Sequence, residues 1–516
     1  MTRHRLHLVL GGLLLATAAG CDSLEETPRD FLGPENFYRT AEDAVAAANG
    51  GYTLLYGQSS IAGWRNWSIL EYTGQALSAN NAADQRATEH MDRYTFDPST
   101  RYFYMTYGDS YSAIARLNAA VANIPPIPMD EGLKNRLLGE VRFLRALYYF
   151  NLVRAYGGVP LHTEPVDNIE AARKPRASAD EVYALIVEDL QFAEQHLPTS
   201  YPANEYGRAT QGAARSLLGK VYLTRGVLAG AFPGAPTGEA GDLTNAVEKL
   251  RQVVQSGEYA LVDDYKSLFY EATERNSEVI FPVVHIQENF FGATIQNYIT
   301  PPLTNWAGGQ WGNQNVELPF YYSYHPSDTR RDASWLAEYT DRNGVVHRWN
   351  ADPALNTHYK NAPTPAKYLI RHPLPHIQWG PLDYSLIRYA DVLLMLAEAI
   401  NEQGNGPTAE AYAAVNAVRA RAKVPALPEG LGYAQFRESL YWERLWELTQ
   451  EHHGYFDAQR FWDLHVAAVR ANSAQKGSFA PNAVPPEMAI QDHHRLFPIP
   501  QQAIDRNSEL VQNPGY

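Results

Sequence analysis

Apolar residues recur every three to four positions over several stretches of this chain, a spacing typical of amphipathic helices. The clearest stretch is 137–153, in which Val141, Leu144 and Tyr148 share one face, and Gly157 follows as a stop signal. The same spacing predicts helices over 41–56, 104–124, 178–197, 210–225, 243–256, 385–401 and 408–423. The pattern therefore predicts a mainly α-helical protein.

Two of the predicted helices begin at recognisable capping residues. Thr40 stands at the N-cap position of the first helix, with acidic residues in the turn that follows. Ser178 and Glu181 have the spacing of a capping box at the start of another helix. Residues 57–100, by contrast, are polar and show no clear period, so we expect irregular structure there.

The predicted helices follow one another as antiparallel hairpins. The motif at 218–222 fits the Leu-Gly-x-x-Tyr core of a tetratricopeptide helix, and its partner would be 246–254, displaced by a Gly- and Pro-rich insertion at 229–243. A second hairpin would join 385–401 to 408–423. No strict period of about 34 residues continues along the chain, so we expect degenerate hairpins and no regular solenoid.

The hydrophobic pattern changes between 277 and 384. Residues 279–284 are apolar and predict one short strand. The stretch that follows is rich in Gly, Pro, Asn and aromatic residues, and loops of this length in a compact domain are usually functional or disordered. Its aromatic density argues against disorder. We therefore expect the helical scaffold to carry long, aromatic-rich loops with a few short strands, and a binding site among them.

The N-terminal residues have the pattern of an export signal. Arg3 and Arg5 precede an apolar run of about 14 residues, which is too short for a bilayer that needs about 20. Small residues then lead to Cys21. We predict that 1–20 is a lipoprotein signal peptide and that Cys21 becomes the lipid-bearing first residue, with diacylglycerol and palmitate attached. The alternative is an ordinary secretory signal followed by an incidental cysteine.

Residues 21–36 are predicted to form a lipid-anchored tether. Pro28, Gly33 and Pro34 interrupt any helix in this charged stretch. No later segment is long and apolar enough to cross a bilayer. We therefore expect the protein to meet the membrane through its N-terminal lipid only.

Composition narrows the class of protein. The formal net charge is −14, which argues against nucleic-acid binding. Cys21 is the only cysteine, so the rest of the chain has neither disulfides nor cysteine-based metal sites. The chain contains 33 Tyr and 10 Trp, more than a helical core usually needs. We expect some of these rings to line a binding surface.

Motifs for metal binding and catalysis are missing from the sequence. The pairs His452-His453 and His493-His494 are adjacent and so do not share a helix face, and no HExxH motif occurs. The sequence also lacks a Gly-x-Ser-x-Gly elbow, a P-loop and a dinucleotide fingerprint. With 57 acidic residues, carboxylate pairs of the kind a glycosidase needs arise by chance. We predict a non-enzymatic protein without metal or cofactor. The alternative is a structural calcium site made of loop aspartates and backbone carbonyls.

Several blocks of sequence occur in an order that resembles a known family. The blocks are 37–40, 139–150, 156–161, 277–281, 388–399, 416–422, 443–448, 456–462, 496–500 and 512–516. They resemble the SusD/RagB family of Bacteroidota outer-membrane lipoproteins, and the likeness covers nearly all of the mature chain. Two departures concern framework positions: Tyr455 stands where the family often has arginine, and Phe461 stands directly before Trp462.

The resemblance implies a scaffold of tetratricopeptide-like hairpins whose loops build the ligand site. It divides the chain into an N-terminal region over 37–270 and a C-terminal region over 271–516, which together form one compact unit. Charged residues in the matched blocks are expected to pair within and between helices as framework. These residues are Glu140, Arg142, Arg388, Asp391 and Glu398.

The resemblance also implies a function. Members of the family sit on the outer face of a SusC-like, TonB-dependent barrel transporter and capture oligosaccharides, or peptides in some branches, for import. The chain is therefore expected at the cell outer membrane, lipid-anchored and facing the exterior. Asp22, Glu25 and Glu26 after the lipidated cysteine resemble a surface-export signal of this group.

Ligand contacts are expected in two loop regions that combine aromatic rings with amides, because sugars present apolar faces and hydroxyl groups. The candidate residues are Trp64, Trp67, Asn80 and Asn81 in the first region, and Tyr298, Trp306 and Trp311 in the second. Each ring has an alternative role in the core or at the transporter. Trp442, Trp446 and Trp462 lie within helical blocks and are expected in the core.

Three other functions remain open. A peptide-binding member of the same family would need main-chain partners and apolar pockets, whereas the tryptophan-rich loops favour a glycan. A tetratricopeptide-type adaptor would bind only protein, and substitution of the loop tryptophans would leave ligand binding unchanged. A secreted hydrolase would turn over a glycan.

Overall fold

The computed structural model describes residues 37–79, 86–286, 292–301, 304–306, 314–349, 362–373, 380–476 and 490–516. The predictions for Cys21, Asn80, Asn81 and Trp311, for the signal 1–20 and for the tether 21–36 lie outside these residues. Among the described residues, no helix has the length and apolar character that crossing a membrane requires.

Helices dominate the described chain, as predicted. They are α1 (Ala41–Thr53), α2 (Trp64–Tyr72), α3 (Arg86–Asp92), α4 (Arg101–Asn123), α5 (Glu131–Tyr156), α6 (Ile169–Ala172), α7 (Ala179–His196), α8 (Gln211–Val227), α9 (Asp242–Gln255), α10 (Gln296–Ile299), α11 (Leu318–Ser323), α12 (Thr329–Ser334), α13 (Tyr389–Gly404), α14 (Ala409–Arg421), α15 (Tyr433–Leu448), α16 (Gly454–Arg460), α17 (Trp462–Lys476) and α18 (Gln501–Arg506). Short 3-10 turns lie at Ala203–Glu205, Tyr265–Phe269 and Asp492–Arg495.

Both predicted caps form. The Thr40 hydroxyl accepts the amide of Asp43 at 3.2 Å, and the Asp43 carboxylate accepts the amide of Thr40 at 2.9 Å. Ser178 and Glu181 make the same reciprocal pair. The prediction of irregular structure over 57–100 is wrong in part, because α2 and α3 lie there. Both helices are too short for an apolar period to stand out.

The predicted hairpins are present. Helices α8 and α9 pack so closely at the tetratricopeptide-like motif that a Cβ on Gly219 would come within 2.7 Å of the Leu250 side chain. Helices α5 and α7 form another close pair, with Gly139 against Leu197 at the end of α7. The small residues at these crossings let the helices approach and bury a continuous core.

Short antiparallel strand pairs interrupt the helical scaffold, and all of their strands except β1 lie in the second half of the chain. The strands are β1 (Leu77–Ala79), β2 (Val279–Val283), β3 (Gln314–Val316), β4 (Trp335–Leu336), β5 (Glu338–Thr340), β6 (Val346–Arg348), β7 (Thr364–Pro365) and β8 (Tyr384–Arg388). The pairs are β1 with β3, β2 with β8, β4 with β7, and β5 with β6. The predicted strand over 279–284 is therefore confirmed as β2.

Buried ion pairs join the helices, and the predicted framework charges take part in them. Arg388 is 2% exposed and binds Glu278 at 2.8 Å, Glu447 and Glu451. Asp391 accepts from Lys220 and Arg444, both at 2.8 Å. Because every charge in these clusters has a partner of opposite sign, the desolvation penalty of burial is offset.

The remaining framework charges also pair as predicted. Glu398 binds Arg460 at 2.6 Å in the core, and Glu140 accepts from Arg208 at 2.8 Å. Arg142 is the most exposed of the five predicted framework charges, and its guanidinium lies 3.5 Å from the Glu188 carboxylate.

Candidate functional site

Trp67 is a core residue. Its side chain is 0% exposed, and its indole N–H donates to the backbone carbonyl of Gln450 at 2.9 Å. A ring without exposed surface cannot serve as a platform for a sugar. The prediction of Trp67 as a ligand contact is therefore wrong, because the C-terminal half of the chain covers the ring with a partner that lies far away in sequence.

Trp64 and Tyr298, one from each predicted region, meet in the structure. Their rings stack with centroids 3.7 Å apart and an interplanar angle of 23°, and Tyr102 meets the indole edge-on at 5.3 Å. Trp64 is 5% exposed and Tyr298 is 8% exposed. The two rings therefore cover each other, and the stack joins the predicted regions without offering an open face.

One charged side chain lies over this stack. The guanidinium of Arg65 is 5.0 Å from the Trp64 ring centroid and donates to the Ser59 hydroxyl at 2.9 Å. Arg65 itself is half-buried, and burial lowers its pKa from the ordinary value. Among the described residues, the buried indole N–H of Trp64 has no hydrogen-bond acceptor.

The β1–β3 ribbon brings the two predicted regions to one end. Ala79 is the register partner of Gln314. Asn80 and Asn81 follow Ala79 in the chain, and Trp311 lies shortly before Gln314. The stretches that contain these three residues therefore join the described structure at the same end of one ribbon.

An aromatic cluster lies on one face of the β5–β6 hairpin. Tyr339 and His347 are register partners whose rings stack at 5.0 Å, and they are buried, with 8% and 5% of their surface exposed. Trp306, which is half-buried, approaches Tyr339 with ring centroids 6.4 Å apart. Trp349 lies two positions after His347 and so faces the same side of the hairpin. Its amide donates to the carbonyl of Ala337 at 3.1 Å, which continues the ladder.

Trp349 connects this face to helix α11. Its ring centroid is 6.1 Å from that of Tyr321 and 6.4 Å from that of Tyr322. Tyr322 is 64% exposed, whereas Tyr321 is 7% exposed. The two tyrosine rings meet edge-on with their centroids 5.6 Å apart. We call the set Trp306, Tyr339, His347, Trp349 and Tyr322 the aromatic row.

Cationic side chains flank the aromatic row. The Arg371 guanidinium lies 5.7 Å from the Trp306 ring centroid at one end. The Arg331 guanidinium lies 5.4 Å from the Tyr321 ring at the other. Both side chains keep hydrogen-bond donors next to aromatic faces, where a polar ligand would meet them.

The hairpin turn holds the centre of the row in place. His347 and Asp341 approach at 3.1 Å between Nε2 and Oδ2, and Asp341 also accepts the amide of Val345 at 2.9 Å. The hydrogen bond from His347, followed by those from the backbone, lowers the pKa of Asp341 from its ordinary value. These contacts orient the His347 ring that stacks on Tyr339.

Of the predicted contacts that the structure describes, only Trp306 falls in the aromatic row. The sequence interpretation missed the other members of the row. A signal for the hairpin exists, because Asn343-Gly344 is a strong turn dipeptide flanked by alternating residues. Gly344 adopts φ +80° in the turn, a conformation that favours glycine. Reading that turn would have placed His347 and Trp349 on one face.

A second aromatic pair lies on the outer side of α15. Trp442 and Trp446 stack with centroids 6.1 Å apart, and the Trp446 indole N–H donates to the Ser323 hydroxyl at 2.9 Å. Both tryptophans are half-buried, so the prediction of a core position is wrong for them. Trp462 is 3% exposed, which confirms the predicted core position for this residue. The tryptophan pair contacts helix α11, which contains Tyr322.

The exposed Tyr322 and the half-buried Trp306 and Trp349 suit recognition of a sugar by shape and hydrogen bonding, over the buried pair Tyr339 and His347. Sugar rings present C–H faces that pack on aromatic rings, and hydroxyl edges that need donors and acceptors nearby. In the part of the chain that the structure describes, no group of three or more His, Cys, Asp or Glu could hold a metal ion.

Two family models match the chain. The model described as "SusD family" matches residues 293–516, and the model described as "Starch-binding associating with outer membrane" matches residues 50–223. A SusD-like protein from Formosa agariphila, P2, is 27% identical, and the match covers 98% of each chain. The starch-binding protein SusD of Bacteroides thetaiotaomicron is 23% identical over 75% of this chain and 73% of its own.

Solved structures are similar over almost the whole chain. The crystal structure of a SusD homologue from Bacteroides thetaiotaomicron has a TM-score of 0.79 with 27% identity, covering 93% of this chain and 98% of that one. The structure of a laminarin-binding SusD-like protein has a TM-score of 0.73 with 26% identity, covering 93% and 100%. These chains share the helical architecture described above.

Proposed function

The chain belongs to the SusD family, and from that premise we propose that it binds an oligosaccharide along the aromatic row. The observation that carries this proposal is the exposed ring of Tyr322, 64% accessible, beside Trp349 on the face of the hairpin. Exposed aromatic rings flanked by arginine are the groups that bind sugar faces and hydroxyls. One relative is named for starch and one similar structure for laminarin, so a neutral glucan is the first ligand to test.

The proposed contact surface extends towards the β1–β3 ribbon. The amide of Val316 donates to the carbonyl of Pro363 at 2.9 Å, and the strand that follows, β7, pairs with β4 directly before the hairpin. Ribbon and hairpin are therefore parts of one strand assembly. On this basis we propose that Asn80, Asn81 and Trp311 add polar and aromatic contacts to those of the row. The Trp64–Tyr298 stack would support the surface from within.

The proposed cellular role is capture of the glycan at the outer membrane and delivery to a TonB-dependent barrel transporter. The family model's description includes association with the outer membrane. The proposed anchor is lipid on Cys21, with the protein facing the exterior. A neighbouring gene that encodes such a barrel, and co-purification of the two proteins, would support this role.

We propose a binding protein without enzymatic activity. The aromatic row contains His347, and Asp341 lies next to it, but the two side chains bind each other within the hairpin. A glycosidase needs two carboxyl groups on opposite sides of the scissile bond, and the row presents none in that arrangement among its members. Release of reducing sugar from laminarin or starch by the purified protein would contradict this part of the proposal.

Calorimetric titration of the purified protein tests the function. Laminarin- and starch-derived oligosaccharides are the ligands, and short peptides of matched length are the comparison. The proposal expects saturable binding of at least one glucan, stronger for longer oligomers because they cover more rings. Binding of peptides alone would instead identify the peptide-capturing branch of the family.

A further inference from the structure

A cavity of about 290 Å³ lies on the N-terminal side of the molecule. It opens between the C-terminal end of α1, the turn at 203–208 and strand β2, and shares no residue with the aromatic row. Its principal lining residues are Asn49, Tyr52, Tyr56, Asn204, Tyr206 and Arg208. Ligand cavities start at about 300 Å³, so this one suits a single small ring more than a chain.

Two of the tyrosine walls are held rigidly. The Tyr52 hydroxyl donates to Glu140 at 2.8 Å and accepts the amide of Ala209 at 2.9 Å. The Tyr56 hydroxyl donates to the carbonyl of Val284. Because both hydroxyls are engaged, the rings keep their orientation without a ligand, which lowers the entropy cost of binding.

The charges around the cavity compensate one another. Arg208 binds Glu140 at 2.8 Å and Glu205 at 2.9 Å, and Arg136 binds Glu205 at 3.1 Å. Arg208 also donates to the Asn49 side-chain oxygen at 2.7 Å, which leaves the Asn49 amide nitrogen as the donor group of that side chain. Among these four side chains two arginines face two carboxylates, so they leave no excess charge that would favour an ionic ligand.

The floor and the rim differ in polarity. Leu55 and Val283, both 2% exposed, form an apolar floor with Pro282, whereas the exposed amides of Asn49 and Asn204 lie at the rim. A pyranose ring has the same division, with C–H groups on its faces and hydroxyl groups around its edge. Hydroxyls that hydrogen-bond to amides would avoid the cost of burying them unpaired.

We propose that this cavity binds one neutral pyranose unit, as a second carbohydrate site separate from the aromatic row. The tyrosine rings and the apolar floor receive the faces of the sugar, and the asparagine amides and Arg208 receive its hydroxyls. The proposal rests on the proposed function only in taking carbohydrate as the ligand class.

Saturation-transfer NMR tests the cavity with glucose, galactose, mannose and xylose as the probes. The wild-type chain is expected to transfer saturation to at least one of them. Asn204→Trp places an indole in the cavity, and the structure describes no side-chain hydrogen bond of Asn204 that the change would break. We expect this variant to weaken the saturation-transfer signal about ten-fold. Gln502→Trp adds the same bulk on the exposed face of α18 and should leave the signal unchanged.

The variants distinguish the cavity proposal from the proposal that the aromatic row binds an oligosaccharide. Trp306→Ala should retain the monosaccharide signal, and Asn204→Trp should retain the oligosaccharide affinity measured by calorimetry. The absence of transfer to all four sugars in the wild-type chain, or an equal signal in Asn204→Trp, would overturn the cavity proposal and leave the row untouched. If Asn204→Trp does not fold, Thr53→Trp fills the cavity from the opposite wall and must give the same loss.

Discussion

The indole of Trp64 lies flat against the phenol of Tyr298, with ring centroids 3.7 Å apart, and so joins α2 to α10 across the sequence. Aromatic pairs of this kind contribute about 0.5–1.5 kcal/mol beyond the burial of their area. Both rings are more than nine-tenths buried, so their main role is to stabilise the contact between α2 and α10.

Truncation of either ring should lower the free energy of unfolding. We expect a loss of about 3 kcal/mol for Trp64→Ala and somewhat less for Tyr298→Ala, since each leaves a cavity. The double variant should lose about 1 kcal/mol less than the sum, because the stack can be removed only once. Urea unfolding of the four proteins measures this coupling. Strictly additive losses would mean that the rings do not stabilise each other.

A second prediction concerns the acid stability of the buried ion pairs. Burial acts to raise the pKa of Asp457, but Arg444 and Arg460 outweigh it and lower that pKa to about 2. In the unfolded chain an aspartate titrates near 3.9. The Asp457 carboxyl group therefore binds its proton less tightly in the folded state than in the unfolded chain. The stabilisation that ionised Asp457 contributes is complete above about pH 4 and is lost as the pH falls towards 2.

Asp457→Asn tests this assignment. The wild-type chain should lose a few kcal/mol of unfolding free energy between pH 5 and pH 2, part of it through Asp457, as judged by urea unfolding at each pH. The variant should be less stable at pH 7, because two buried arginines lose a charged partner, and its stability should change less with pH over that range. Asp463→Asn, at an exposed position, is the control. An equally steep profile in Asp457→Asn would contradict the assignment.

Much of the scaffold could be predicted from sequence because helices carry local signals. The apolar period and the capping boxes at Thr40 and Ser178 depend on residues a few positions apart. The helix over 137–153 nevertheless extends to 131–156, since its first turns are polar and show no apolar stripe. Local signals thus identify an element better than they locate its ends.

The candidate site was harder to predict because exposure depends on distant residues. Trp67 and Trp349 are the same residue type, yet the first is covered by the backbone at Gln450 and the second lies beside an exposed tyrosine. Nothing within a few positions of either tryptophan separates the two cases. The pairing of Tyr339 with His347, by contrast, follows from the Asn343-Gly344 turn, so that part of the row was open to prediction.

The proposed lipid anchor makes its own prediction. Replacement of Cys21 by alanine removes the thiol that would be acylated, and acyl chains contribute about 0.8 kcal/mol per buried methylene to membrane binding. We expect the Cys21→Ala protein to leave the outer-membrane fraction on cell fractionation, whereas Ser23→Ala should remain in it. Continued surface display of Cys21→Ala at the wild-type level would contradict the anchor.

The measurement that tests the central claim most directly is calorimetric titration of the aromatic-row variants with the glucan oligosaccharide that the wild-type chain binds. Tyr322→Ala and Trp349→Ala should each weaken binding about ten-fold, the equivalent of about 1.4 kcal/mol, and the double variant should weaken it further. Ile169→Ala, which removes an apolar side chain that is 71% exposed outside the row, should bind like the wild-type chain. Unchanged affinity in the folded double variant would show that the glycan binds elsewhere.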